Sequence, residues 1–195
     1  MTLYHGSSVA DITFLEPRSH LHGSQNEKVV YMSGSIPYAL VYIWDSEKTS
    51  YSGKYVTCAL KGGVVHYEEL FPDQLKAFYE GVSGYLYCVE KTDSMQHMPQ
   101  THEDMYYSWE TVKVKDTIFV PDVYAELLRY EREGLIKVSR FNDASEEVQA
   151  ERVEKTVKGI EMSNLLHADS EKARFMKRYF KQAWELAKLR ENQIK

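Results

Sequence analysis

Two short runs near the start of the chain alternate apolar and polar positions with a period of two. In Leu3-Tyr4-His5-Gly6-Ser7-Ser8, Leu3 and His5 share a side; in Val29-Val30-Tyr31-Met32-Ser33, Val29, Tyr31 and Ser33 do. Both runs read as strands, over residues 2–6 and 28–33. Ser35 fits an N-cap, and Pro37 fits the first turn of a helix on which Tyr38 and Tyr42 share a face. Residues 54–60 and 64–68 flank Lys-Gly-Gly and predict a hairpin. A short helix follows Phe71-Pro72-Asp73 and stops at Gly81; GYLYCVEK then reads as a strand. The polar stretch TDSMQHMPQTHED reads as a loop, of the kind that recognises a second substrate when it lies near a cleft. YYSWETVKVKDTIFV predicts one or two more strands, PDVYAELLRYEREG a helix running from Pro121 to a stop at Gly134, and LIKVSRF a last strand.

Beyond Asn142 no proline occurs and the period changes to that of a helix. DASEEVQAERVEKTVKGIEMSNLL predicts one helix, weakened near Gly159, and SEKARFMKRYFKQAWELAKLRE predicts a second. On the second, Met176, Phe180, Ala183 and Ala187 form a stripe spaced for packing against the domain or a partner chain. The pattern implies an α+β chain: a mixed domain over 1–142 and a C-terminal helical extension over 143–195 packing on it.

Composition narrows the class. With 43% hydrophobic residues and 13% aromatics in 195 residues, a buried core is affordable and global disorder is excluded. A net charge of −5 argues against a surface coated with nucleic acid. The charge is uneven, however. Residues 172–195 carry eight Lys or Arg against two Glu, a local excess of six positive charges that leaves about −11 on the remainder. A solvated helical face explains such a run, and so does a site for an anionic partner, RNA included. Cys58 and Cys88 lie in strand-like runs without zinc or CxxC spacing, which suits two reduced thiols and leaves a disulfide open. His20 and His22 lie two apart in a polar loop with no third ligand nearby, so no metal is expected. The longest apolar run, around Ile36 to Trp44, is far too short to span a bilayer, and the start shows no basic-plus-apolar signal, so the expectation is a cytoplasmic protein with no membrane partner.

Set side by side, the first two strands bring an imidazole, a phenol ring and a glycine amide to one cleft. That set suits a flat aromatic amide, whose ring stacks on tyrosine while its carboxamide meets main chain at glycine. LYHGSS, with the downstream VVYMS and the tyrosine-bearing SIPYALVYIW, resembles the poly(ADP-ribose)-polymerase-like, His-Tyr branch of the ADP-ribosyltransferase superfamily. The resemblance covers roughly residues 1–140 and implies a split antiparallel β-fold that binds NAD as substrate. It implies that His5 holds the NAD ribose and Gly6, with Ser7, the nicotinamide carboxamide. Tyr31 stacks on the nicotinamide, with Ser33 beside it, and Tyr42, eleven residues on, supplies a second ring near Tyr38.

The branch's third strand opens on a catalytic glutamate that stabilises the oxocarbenium-like state. On the matching stretch, Met105-Tyr106-Tyr107-Ser108-Trp109-Glu110, methionine occupies that place. Three readings stand. A small shift brings Glu103 or Asp104 to the active position; Glu110 serves from elsewhere, although five residues from Met105 puts it on the other side of a regular strand; or the carboxylate is missing. The expected function is mono-ADP-ribosyl transfer from NAD to a protein, nucleic acid or small molecule; the alternative is a weak or inactive NAD- or ADP-ribose-binding module of the same fold. The rifamycin-modifying transferases share the His-Gly start. The tRNA 2′-phosphotransferases carry histidine where Tyr31 stands, which argues against them.

Overall fold

Alternation sets the first strand. In the computed structural model, which describes residues 1–98 and 104–194, the strand spans Thr2–Ser7, with Leu3 and Gly6 buried. The strands are β1 (Thr2–Ser7), β2 (Phe14–Leu15), β3 (Ser19–His20), β4 (Lys28–Ser33), β5 (Cys58–Lys61), β6 (Val64–Glu68), β7 (Gly84–Glu90), β8 (Gln96–His97), β9 (Met105–Ser108), β10 (Val112–Lys113), β11 (Asp116–Val120) and β12 (Ile136–Ser139). The helices are α1 (Ile36–Leu40), α2 (Ser46–Thr49), α3 (Gln74–Tyr79), α4 (Val123–Arg132), α5 (Glu146–Met162), α6 (Glu171–Tyr179) and α7 (Lys181–Ile194). The chain is thus mixed α+β with antiparallel sheets. Among the described residues no helix is long and apolar enough to cross a membrane.

Contacts divide the chain into two compact units. The first comprises Met1–Trp44, Cys58–Tyr67 and Tyr79–Lys137; the second comprises Asp45–Thr57, Glu68–Phe78 and Val138–Lys195. The sequence reading placed one boundary at 142/143. The structure adds two earlier segments to the helical part because they are bonded into it: Ser52 Oγ donates to Glu171 at 2.6 Å, and the Glu69 carboxylate accepts from Leu75 N and Phe141 N, each at 3.1 Å.

In the first unit the strand order is β11-β7-β1-β4-β9-β8, with β3 beside β4. β1 is laddered to β7 along its whole length, from Thr2↔Glu90 to Ser7↔Tyr85, but to β4 at the single pair Tyr4↔Ser33. One face carries a core of Leu3, Val30, Met32, Tyr87, Val89 and Met95. α1 begins as its sequence predicts: Ser35 Oγ caps Tyr38 N, and Pro37 lies in the first turn. The chain through Ala39 and Ile43 lies directly over Gly6. A Cβ built there would fall 2.1 Å from the Ala39 carbonyl oxygen and 3.1 Å from Ile43 Cγ1. Gly6→Ala is therefore expected to destabilise the protein by about 2 kcal/mol or more, since main chain must move to admit the methyl; chemical denaturation measures it.

Three elements differ from the sequence reading. The strand expected over 54–60 begins at Cys58; just before it Glu68 N donates to Thr57 O at 2.8 Å and Thr57 Oγ1 donates to Glu68 O at 2.6 Å, so a side chain takes part in the last pairing. The turn after it is as expected, with Gly62 and Gly63 at φ 57° and 75°, the region glycine adopts without penalty. The loop after β7 contains the short β8, paired to β9 through Gln96↔Tyr107 and His97↔Tyr106. The last predicted helix is two, α6 and α7, parted at Phe180 (φ −99°, ψ 51°). In the second unit the Phe180 ring packs 4.9 Å from both Phe71 and Tyr55, an aromatic gain that offsets the broken turn. The stripe of Met176, Phe180, Ala183 and Ala187 is buried.

Candidate functional site

β1 and β4 stay paired at Tyr4↔Ser33 and then part. At the parting, His5 Nδ1 lies 2.8 Å from the carbonyl oxygen of Tyr31. An imidazole thus takes a main-chain acceptor at the place where a continued ladder would present a β1 amide. His5 and Tyr31 are both half-buried.

The contact runs through the main chain of Tyr31, not its ring. The register pairs His5 with Tyr87, on the side of Leu3 and Met32, whereas Tyr31 pairs with Tyr107 and Ser33 with Met105. A regular pleat turns these two sets to opposite faces. The expectation that imidazole and phenol line one wall is corrected accordingly: the imidazole meets the Tyr31 main chain at the strand edge where the ladder opens. The sequence reading failed here because it assumed a common register, and pairing one residue along exchanges every face.

The Tyr31 phenol is pinned. Its hydroxyl accepts from His22 N at 2.7 Å and donates to His20 O at 3.1 Å, so the polar loop of two histidines serves the ring through main chain. Burial raises the Tyr31 pKa above the usual tyrosine value, against the lowering from the His22 amide. Tyr107, directly across from it, is the ring the sequence reading missed; its spacing of two from Met105 was the signal. Tyr38 and Tyr42 join hydroxyls at 3.1 Å, with ring centroids 5.4 Å apart. Tyr38 is buried and Tyr42 half-buried, and burial first, then the neighbouring phenol and Cys58, pushes the Tyr42 pKa far above the ordinary range.

Cys58 and Cys88 form no disulfide. Although Cys58 as a residue is only half-buried, desolvation pushes its thiol up to about 12. A folded pKa above the unfolded value of about 8.5 means that the contribution to stability is complete below that pH and is lost on the way to the folded value. Tyr38 and Tyr42 shift in the same sense. The melting temperature is expected to hold to about pH 8 and fall steadily above about pH 9. Thermal melts across that range check it.

The remaining predicted residues fall in distinct places. Ser33 is buried, its Oγ accepting from Ser35 N at 3.0 Å, and Ser7 Oγ accepts from Val9 N at 3.2 Å. Met105 is 7% exposed opposite Ser33, so an apolar thioether does occupy that position. Asp104 is exposed at φ 55°, and its carbonyl accepts from Gly34 N at 2.8 Å, holding it at the end of β4. A Cβ built on Gly34 would lie 3.6 Å from Asp104 Cγ, so the carboxyl group stands over that strand end. Glu110 lies past β9 in a turn closed by Ser108, whose Oγ donates to Glu110 O and accepts from Glu110 N, each at 3.0 Å. It lines a groove with Glu90, Ser108, Lys113 and Lys115, and neither His5 nor Tyr31 is among the groove's lining residues. Glu103 lies outside the described residues. Among the described residues no group of three His, Cys, Asp or Glu can hold a metal ion.

No family model, curated protein or solved structure matches this chain.

Proposed function

We propose that the chain is an NAD-dependent mono-ADP-ribosyltransferase with the split antiparallel fold that its sequence motifs imply. The observation that carries the reading is the opening of the β1–β4 ladder past Tyr4↔Ser33, with the His5 imidazole on the Tyr31 carbonyl. Parted strands offer a flat carboxamide two main-chain edges at Gly6, and the pinned Tyr31 offers its ring a stacking face. In the reaction the bond between ribose C1′ and the nicotinamide nitrogen breaks and its electron pair leaves with neutral nicotinamide. An acceptor nucleophile then bonds to C1′ and loses its proton. The acceptor is a protein, a nucleic acid or a small molecule.

Of the two candidate carboxylates among the described residues, Asp104 stands at the β4–β9 end beside Ser33 and Met105, and Glu110 in a turn past β9. Asp104 is assigned to stabilise positive charge on the ribose. The test uses NAD labelled in the nicotinamide and follows its release. Asp104→Asn is expected to lower release about 100-fold, and Glu110→Gln to leave it within about twofold, as suits an exposed residue elsewhere. Equal losses in the two variants, or none in Asp104→Asn, would remove Asp104 from the reaction.

A second reading is favoured by Met105, apolar and buried opposite Ser33 where the resemblance calls for a glutamate: the same pocket binds NAD or ADP-ribose without turnover. NAD binding with no nicotinamide release from the unaltered protein decides for it.

A further inference from the structure

The second unit contains a cavity of about 410 Å³ beside the break between α6 and α7, independent of the residues in the NAD reading. Phe71, Tyr179, Phe180, Arg178, Lys181 and Gln182 are among the residues lining it. Its size suits a ring-bearing ligand rather than a bare anion. Phe71 and Tyr179 are half-buried with ring centroids 6.2 Å apart, so aromatic surface remains exposed beside the buried Phe180. The positive charge is partly ordered. Arg178 Nη1 donates to Lys48 O at 3.3 Å and Ser50 Oγ at 3.4 Å, and its guanidinium carbon lies 5.0 Å from the Tyr179 ring centroid.

Exposed cations continue from there. Lys177 precedes Arg178 on α6 and Lys181 opens α7; both are exposed, and neither forms an ion pair among the described residues. Two acids lie close: Asp45, whose charge acts on the Tyr179 phenol, caps α2 by accepting from Glu47 N and Lys48 N, each at 2.9 Å, and Glu185, one turn on from Lys181, pairs with Lys188 at 3.0 Å. Aromatic faces flanked by lysine and arginine form the pattern that binds unpaired bases, with stacking in the middle and phosphates at the sides. A duplex keeps its base faces stacked and cannot offer them.

We infer that this cavity binds single-stranded nucleic acid, one base lying against Phe71 and Tyr179 and the adjoining phosphates meeting Arg178, Lys181 and Lys177. The local excess of positive charge in the C-terminal helices thereby has a defined centre.

The experiment titrates the full chain into a labelled RNA strand of about 10 nucleotides, at about 50 and 200 mM salt, with the matching duplex and AMP as competitors. The strand is expected to bind, to weaken steeply with salt and to resist both competitors. The double variant Lys177→Glu, Lys181→Glu should bind at least about tenfold more weakly and flatten the salt slope by about 1.4, roughly 0.7 for each lost phosphate contact. Both side chains are exposed, so its melting temperature should match that of the unaltered protein. Phe71→Leu should weaken binding about fivefold or more without changing the slope, because it removes a stacking face and no charge. No strand binding, binding indifferent to the lysine variant, or equal competition by duplex overturns the inference. AMP competing as well as the strand also overturns it, in favour of a free mononucleotide.

Discussion

His5→Ala is expected to lower nicotinamide release from NAD by about 100-fold or more, with the melting temperature changed by only a few degrees. The imidazole lies 2.8 Å from the Tyr31 carbonyl, at hydrogen-bond distance, and the residue is half-buried. Losing such a bond removes about 1 kcal/mol of stability. The consequence for the proposed reaction is larger, because the same ring sets the spacing of the two strand edges between which the nicotinamide is proposed to lie. Misplacing a reacting group by about 1 Å costs on the order of 100-fold in rate. His5→Asn keeps a donor able to reach the carbonyl, and should recover part of the fold stability but little of the release. The readouts are nicotinamide release and thermal melting on the same samples. Full release from His5→Ala would sink the proposed function.

Arg152→Met is expected to destabilise the second unit by about 3–5 kcal/mol. The Arg152 side chain is 6% exposed. Its Nη1 donates to three main-chain carbonyls, of Glu69, Arg140 and Ser139, at 3.1, 3.2 and 3.4 Å. Nη2 donates to Ser139 Oγ at 2.6 Å, and Nε lies 3.4 Å from Glu68 Oε1, an ion-pair distance without hydrogen-bond geometry. Methionine fills much of the volume but takes this donor from the Glu69 and Arg140 carbonyls, while Ser139 O keeps Glu69 N at 3.1 Å; among the described residues Glu68 is left with Lys155, at 3.6 Å. Lysine should recover less than half of the loss, since one ammonium cannot reproduce a planar fork with donors on both sides. Denaturant midpoints for the two variants and the unaltered chain give the comparison.

Much of the element order was legible from pattern. Period-two runs located β1 and β4 to within a residue, and Ser35 with Pro37 located α1, because alternation and capping are local properties of the chain. The division of 171–194 at Phe180 was not legible. Its residues keep helical spacing throughout, and the rings that pack on Phe180 at the break, Tyr55 and Phe71, are far away in sequence.

The candidate site divides in the same way. Residue types alone determined that a histidine, a glycine and a tyrosine would sit on short strands near the start. Only tertiary structure decided that β1 and β4 part after one pair, that His5 meets the Tyr31 main chain rather than its ring, and that Asp104 rather than Glu110 stands at the strand end. The reason is register. Side-chain direction along one strand follows from its own sequence, but which face of a neighbour it meets depends on an offset between strands that no single strand encodes.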